Sequence, residues 1–340
     1  MKNRVDEQYK DLVKKILSTG TQKIDRTKVG TISTFGHQMV YRMEDGFPLL
    51  TLRKIHIDSF IHEMLWFLWS FDNKWDKFGN CNIRYLLENK CTFWTEWPYK
   101  SYIEIKKYRP ELPDLNIKEF ENKIIIDDDF AKEFGTLGKS YGKQWINYGD
   151  NNFNQIDYLI KELKNNPDSR RLILNAWKAD EINETLLPPC HMMFQLYSEK
   201  MNPDDRMANY SKWISENGLP YGESMEKYNF PDRKLSLQLY QRSCDLGLGQ
   251  PFNVAEYSLL LHMISQVVGM IPDKLIINFG DVHIYSNHVE QLKKLLDRSS
   301  YELPSLKLNQ NIKNIYDFRQ EDIVIENYRC HPNIKMEVAV

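Results

Sequence analysis

Residues 257 to 268 are apolar on nearly every side, and this stretch constrains the fold more than any other in the chain. A helix with one apolar stripe can rest on a surface, but one that is apolar all round must be enclosed by other elements. Gly269 stands where the C-terminal stop of such a helix is expected. Residues 274 to 279 then read as a buried strand.

The rest of the chain supplies the enclosing material. Residues 6 to 18 set Leu12, Val13, Ile16 and Leu17 on one stripe of an opening helix, and residues 31 to 42 alternate as a strand. Residues 58 to 68 carry Phe60, Ile61, Met64, Leu65 and Leu68 at helical spacing, with Asp58 or Ser59 placed to cap the start. Residues 156 to 163 form a short amphipathic helix, and 172–177, 193–198 and 235–241 read as strands. Helices and strands mix without regular alternation, which points to α+β, a large mixed sheet packed by helices, rather than a doubly wound fold. With no internal repeat and no Gly/Ser linker, residues 1–340 are expected to form a single domain. Polar, loop-rich stretches at about 98–136 and 199–233 read as peripheral insertions.

The formal net charge of −2 gives no support for broad attraction to nucleic acid or membrane, so an anionic ligand would need a local arginine cluster. Cys81, Cys91, Cys190, Cys244 and Cys330 are odd in number and scattered, with no metal-ligand spacing. Neither a disulfide framework nor a metal site is indicated. The first residues are polar with no signal core, and no window is long and apolar enough to span a bilayer. A reduced, cytoplasmic protein is the expectation.

One thiol stands in a distinctive setting, Leu186-Leu187-Pro188-Pro189-Cys190-His191, followed by the strand-like alternation Met193-Phe194-Gln195-Leu196-Tyr197. Two prolines stiffen the backbone just before Cys190. Such a cysteine serves either as a small buried hydrophobe or as an aimed nucleophile. Arg170-Arg171 and Arg242-Ser243 are placed at strand ends, where guanidinium forks bind phosphate or simply form surface ion pairs. Glu63 lies within a helical pattern, either on its surface or buried as an acid able to move protons. Asn253 can cap the apolar helix or read the imide edge of a uracil, because an amide donates and accepts together. His283 and Tyr285 share a side of an extended segment and fit a sugar hydroxyl or a half-buried strand.

Taken in order, the motifs resemble one family. They are Phe35-Gly36-His37-Gln38-Met39, Asp45-Gly46-Phe47-Pro48-Leu49, His62-Glu63-Met64-Leu65-Trp66-Phe67-Leu68 and Tyr141-Gly142-Lys143-Gln144-Trp145. Asp168-Ser169-Arg170-Arg171, Pro188-Pro189-Cys190-His191 and Gln238-Leu239-Tyr240-Gln241-Arg242-Ser243-Cys244-Asp245 continue the series. Gly249-Gln250-Pro251-Phe252-Asn253 and His283-Ile284-Tyr285-Ser286-Asn287-His288 complete it. Over nearly its full length the chain resembles the thymidylate synthases.

That resemblance implies a homodimer, associating through the sheet, that converts dUMP to dTMP with 5,10-methylenetetrahydrofolate. The folate would donate both carbon and hydride, so neither metal nor nicotinamide is implied. By the same resemblance Cys190 would attack C6 of dUMP, with Arg242 activating the thiolate. Arg26, Arg242 and Ser243 would hold the phosphate, joined by Arg170 and Arg171 from a partner subunit. Asn253 would read the base, and His283 and Tyr285 the sugar. Glu63, Tyr141 and His191 would organise proton transfer through water. His56, Trp94, Trp97, Leu187 and Asp245 would meet the folate, and Val340 would belong to a closing C-terminal lid.

Four residues depart from the pattern: Ile146, Gly247, Gln250 and Glu256. Gln250 and Glu256 add polarity close to Asn253 in sequence, and such groups could hold a water at the transferred carbon. A dUMP 5-hydroxymethylase (less so a dCMP enzyme, given Asn253) is therefore the alternative. A relative that binds nucleotide or RNA without turnover is a third class, opposed by the intact Cys190, Arg242, Glu63 and Asn253.

Overall fold

The apolar helix runs Gly249–Val268, starting eight residues before the stretch that announces it, and ends at Gly269 in the left-handed conformation expected there. Its first two turns carry the buried polar residues Gln250, Asn253 and Glu256, which hide the helix from a reading of hydrophobic pattern. Pro251 is tolerated there because a first-turn amide has no intrahelical acceptor to lose.

The computed structural model describes residues 3–24, 29–69, 78, 81–149, 151–216, 218–220 and 222–338. Among these the helices are α1 (Arg4–Thr19), α2 (Ile57–Leu68), α3 (Arg84–Glu88), α4 (Glu96–Lys106), α5 (Ile117–Ile126) and α6 (Asp128–Phe134). They continue with α7 (Gly142–Ile146), α8 (Gln155–Asn165), α9 (Pro203–Glu216), α10 (Gly249–Val268) and α11 (Val289–Leu296). The strands are β1 (Thr21–Lys23), β2 (Thr31–Arg42), β3 (Ile173–Asn175), β4 (His191–Lys200) and β5 (Arg233–Asp245). β6 (Ile271–Tyr285), β7 (Ser305–Leu308) and β8 (Ile323–Glu326) complete the set.

Six strands form one mixed sheet in the order β1-β2-β6-β5-β4-β3, while β7 and β8 pair apart from it. β5 and β6 are parallel, so the chain must cross over between them, and α10 is that crossover. The other neighbours in the sheet are antiparallel, which agrees with the α+β expectation. Leu174, Phe194, Leu239, Ile277 and Met39 align across five strands and are each at most 1 % exposed. Helix α10 covers this row and α2 packs on α10, and together with the six-stranded sheet they form the main apolar core.

The opposite face is left largely uncovered by the described residues. Ile173, Tyr197 and Tyr240 are exposed there, beside the polar Gln38 and Gln238.

Two local expectations change. α2 has His56 at its N-cap position with no side-chain cap bond, and Asp58 instead lies in the first turn, where an acid favours the helix dipole. The stretch 98–136 folds as helices whose Tyr102, Phe120, Phe130 and Phe134 rings pack together and join the main core. The stretch 199–233 carries α9, which forms a small separate cluster from Tyr210, Ile214 and Phe230.

Candidate active site

Cys190 sits half-buried where the Pro188–Pro189 turn enters β4. Arg242, on the neighbouring β5, holds that turn in three ways. Its backbone N–H donates to the Cys190 carbonyl at 2.9 Å, and its guanidinium donates to Pro189 O at 3.0 Å and Pro188 O at 2.8 Å. The same guanidinium lies 3.8 Å from Cys190 Sγ and 5.4 Å from the centre of the Trp177 ring. A cation so placed favours negative charge on sulfur, the form that attacks.

Tyr141 supports the turn from the other side. Its hydroxyl accepts from the Cys190 N–H at 2.9 Å. The residue has φ of 37°, a conformation costly for a bulky side chain. Packing against Phe67 at 5.0 Å and against Trp94 and His191 at 5.5 Å opposes that cost. His191 is buried between the Tyr141 and Tyr257 rings, and burial pushes its pKa down to about 4. It is therefore a neutral imidazole at neutral pH, able to hydrogen-bond but not to act as a cation.

A chain of buried polar groups runs behind the thiol. Gln241 Nε2 donates to Asn253 Oδ1 at 2.8 Å, and Asn253 Nδ2 donates to Glu256 Oε2 at 3.1 Å. The Glu256 carboxyl faces that of Glu63, and Trp94 Nε1 donates to Glu63 Oε1 at 2.6 Å. Glu63 is 7 % exposed and Glu256 is fully buried. Burial raises both carboxyls above the usual range, Glu256 the further because the Glu63 charge adds to it. Asn253 retains one lone pair and one amide hydrogen for a ligand. It lies within α10, not at its cap.

The remaining expected residues divide into two groups. His283 Nδ1 meets Asp281 Oδ1 at 3.2 Å, its ring stands 5.1 Å from Tyr285, and Asp281 also pairs with Lys23 at 2.9 Å. Those two partners hold the Asp281 carboxyl down at about 2. Ser243 lies opposite Asp281 in the β5–β6 register. Trp94 and Trp97 form a wall with ring centres 5.2 Å apart, and Trp97 Nε1 has no acceptor among the described residues. The Leu187 carbonyl, just before the two prolines, accepts from Ser140 Oγ at 3.0 Å. Asp245 Oδ1 accepts from Gly247 N at 2.8 Å.

The second group stands apart. His56 is exposed at the rim of a cavity of about 660 Å³ that also touches Lys54, Asp58 and Cys91. Arg170 and Arg171 are exposed just before the edge strand β3. Arg26 and Val340 lie outside the described residues. No group of three or more His, Cys, Asp or Glu is arranged to hold a metal among the described residues.

Two contributors carried no signal of their own in the sequence. Arg53, 3 % exposed, donates to Gly247 O at 2.7 Å and so braces the loop that carries Asp245. Gln241 appears only within a longer motif, yet it fixes Asn253. The departures Gln250 and Gly247 also find their places. Gln250 Nε2 donates to Tyr41 Oη at 2.9 Å and to Met39 Sδ at 3.4 Å, so its amide hydrogens are engaged in the core. Gly247 leaves no room for a side chain, since a Cβ would lie 2.8 Å from His288 Nδ1 and 3.2 Å from Met336 Sδ.

A thiol held beside a guanidinium, with a buried proton-carrying pair behind it, is a layout suited to nucleophilic catalysis. Sequence comparison gives the family. The thymidylate synthase family model matches residues 7–340, and the chain belongs to the thymidylate synthase family, a family of enzymes. It is similar to the thymidylate synthase of Mycoplasma mobile, 43 % identical over 334 residues, covering 98 % of this chain and 100 % of that protein. The thymidylate synthase of Malacoplasma penetrans is also 43 % identical over 334 residues, with the same shares of 98 % and 100 %. That of Oenococcus oeni is 39 % identical over 359 residues, covering 99 % of this chain and 100 % of its own length.

Proposed function

We propose that this chain converts dUMP to dTMP with 5,10-methylenetetrahydrofolate. The observation that carries the reading is the juxtaposition of Cys190, gripped by Arg242 and Tyr141, with the Asn253–Glu256–Glu63 chain. Cys190 Sγ adds to C6 of the pyrimidine, and the electron pair released makes C5 the nucleophile for the one-carbon unit. Asn253 presents a donor and an acceptor to the imide edge. Glu63, with Tyr141 and His191 ordering the intervening water, receives the proton that leaves C5.

The residues present suit the folate. Trp94 and Trp97 offer an aromatic wall with an unpaired indole N–H, and Leu187 and Asp245 offer an apolar contact and an acceptor. When bound, the folate supplies the carbon and the hydride. His56 would meet its outer end, and Val340 would belong to the closing tail. Arg242, Ser243 and Arg26 would hold the phosphate, with His283 and Tyr285 on the sugar. Water addition in place of hydride transfer is not favoured, because Gln250 is engaged with Tyr41 and Glu256 with Asn253.

We further propose that two copies associate through the uncovered sheet face. Ile173, Tyr197 and Tyr240 supply apolar area there, and exposed patches of this kind mark association sites. Arg170 and Arg171, exposed at the sheet edge, would then reach a partner's phosphate site. A 1–340 single domain with insertions at about 98–136 and 199–233, working in the cytoplasm with its cysteines reduced, completes the reading.

The test is formation of a covalent complex with fluoro-dUMP and methylenetetrahydrofolate, followed by mass analysis of the product from dUMP. A methylated product formed in step with dihydrofolate is expected. A hydroxymethylated product, or no covalent complex, overturns the proposal.

A further inference from the structure

Glu256 is the one departure from the family pattern that sits against the reacting groups. It is fully buried on α10, three residues and nearly one helical turn from Asn253, and it has two polar neighbours on two sides. Oε2 accepts from Asn253 Nδ2 at 3.1 Å. The carboxyl also faces Glu63, yet Oε1 finds no donor among the described residues. Two carboxyl groups in contact can bond only if a proton lies between them, since neither has a hydrogen to give when both are ionised.

Among the described residues, the other groups bearing on the pair are neutral at neutral pH. Trp94 and Cys91 face it from the segment before α4, Tyr257 from α10, and His191 from β4 by way of Asn253. Tyr141 stands beyond Trp94, and Arg242, the cation of the site, is engaged with Cys190 and the two proline carbonyls. Double ionisation is therefore opposed by both burial and repulsion.

Resting on the function proposed above, we infer that Glu256 is a positioning residue for this reaction: it shares one proton with Glu63 and holds the Asn253 amide in a single orientation. In the resting enzyme the pair carries one proton and one negative charge. When the C5–H bond breaks, its electron pair stays on carbon and the proton passes through water to the pair, which then carries two. Release of that proton to solvent after turnover restores the single shared one. The pair never loses both, and Glu63 accepts a proton from a position where its anion is held by an acid donor. Because Glu256 accepts from Nδ2, the amide oxygen is left to Gln241 and to the ligand, which is the orientation that suits uracil and not cytosine.

Two variants test this, each compared with the parent for dUMP and dCMP turnover across pH. Glu256→Ala removes both the acid donor and the Asn253 acceptor. Loss of a hydrogen bond to a charged group moves a pKa by about one to two units. The acid limb of the kcat profile is expected to move up by about that amount, and the dUMP over dCMP preference to fall roughly five- to tenfold. Glu256→Gln retains an acceptor for Asn253 and a weaker donor for Glu63. It is expected to rescue the base preference and to shift the acid limb by less. If Glu256→Ala does not fold, the Glu256→Gln profile alone decides. An acid limb unmoved in the soluble variants, over an active parent, overturns the inference and leaves the proposed function standing. A parent without activity removes the proposed function instead. Difference infrared spectroscopy then reads the pair directly: a protonated carboxyl band at neutral pH, lost in Glu256→Gln, supports the shared proton, and its absence from the parent overturns it.

Discussion

Trp94 does two things at once, and Trp94→Phe separates them. The ring belongs to the aromatic wall with Trp97, while the indole N–H donates to Glu63 Oε1 at 2.6 Å. Phenylalanine keeps an aromatic surface and removes the donor together with the second ring of the indole. Glu63 is 7 % exposed, so bulk solvent compensates the lost bond only weakly. A hydrogen bond to a charged group contributes about 1.5–3 kcal/mol, and one pKa unit corresponds to about 1.36 kcal/mol. The Trp94 bond lowers the Glu63 pKa against a larger upward push from burial. Removing it therefore raises the Glu63 pKa by about one to two units. Because Glu63 must be ionised to accept a proton, the acid limb of kcat/KM for dUMP moves upward by that amount, with the plateau largely retained. Stability follows the same sign. A carboxyl whose folded pKa is raised above its unfolded value favours folding while it is protonated, and that contribution is lost as pH rises through the folded value. Thermal melts should therefore show Trp94→Phe closer to the parent at mildly acid pH than at neutral pH. An acid limb that stays in place, in a variant whose near-ultraviolet circular dichroism shows its aromatic packing intact, refutes the reasoning.

Cys190→Ser should abolish turnover and the covalent fluoro-dUMP complex while leaving dUMP binding measurable by calorimetry; residual turnover at the parental rate removes Cys190 from its role. Asn253→Asp places a third carboxyl against Glu256, where the new acid is held protonated and can donate to the ring nitrogen of cytosine. The ratio of kcat/KM for dCMP over dUMP should rise, and equal loss on both bases counts against direct reading of the base. Mixing Cys190→Ser with Arg170→Ala after unfolding and refolding together should restore turnover that neither variant shows alone. If the mixture stays inactive while size-exclusion chromatography shows dimers, Arg170 does not act across the interface.

Residues 31 to 42 form β2 with the expected bounds, because alternation on a strand with one covered face is a clean signal. The strand expected at 274–279 extends to Ile271–Tyr285: residues 271–273 are only partly buried, and beyond 279 the polar Asp281 and His283 and the intervening Gly280 break up an otherwise buried run. The order of the motifs supplied the candidate residues, and the structure brings Cys190, Arg242, Tyr141, His191, Asn253 and Glu63 together, a grouping that no spacing in the sequence reports. Arg170 and Arg171 are exposed just before the edge strand β3, a placement that depends on the topology of the sheet and not on local sequence pattern.

The clearest lesson lies in Gln250 and Glu256, which seemed alike in sequence and do opposite things. Their meaning depends on helix phase. At about 100° per residue, Glu256 comes back to within about 60° of Asn253, whereas Gln250 lies about 120° from Glu256. Gln250 accordingly points at Tyr41 in the core, and Glu256 at Glu63. The phase could be read only by starting the helix at Gly249, and the buried polar residues of the first two turns concealed that start. Those residues are polar because they serve one another: Gln241 holds Asn253, Asn253 holds Glu256, and Glu256 faces Glu63. A hydrophobic-pattern reading fails there for the same reason that the site can work, since groups that must donate, accept and carry protons cannot also announce themselves as core.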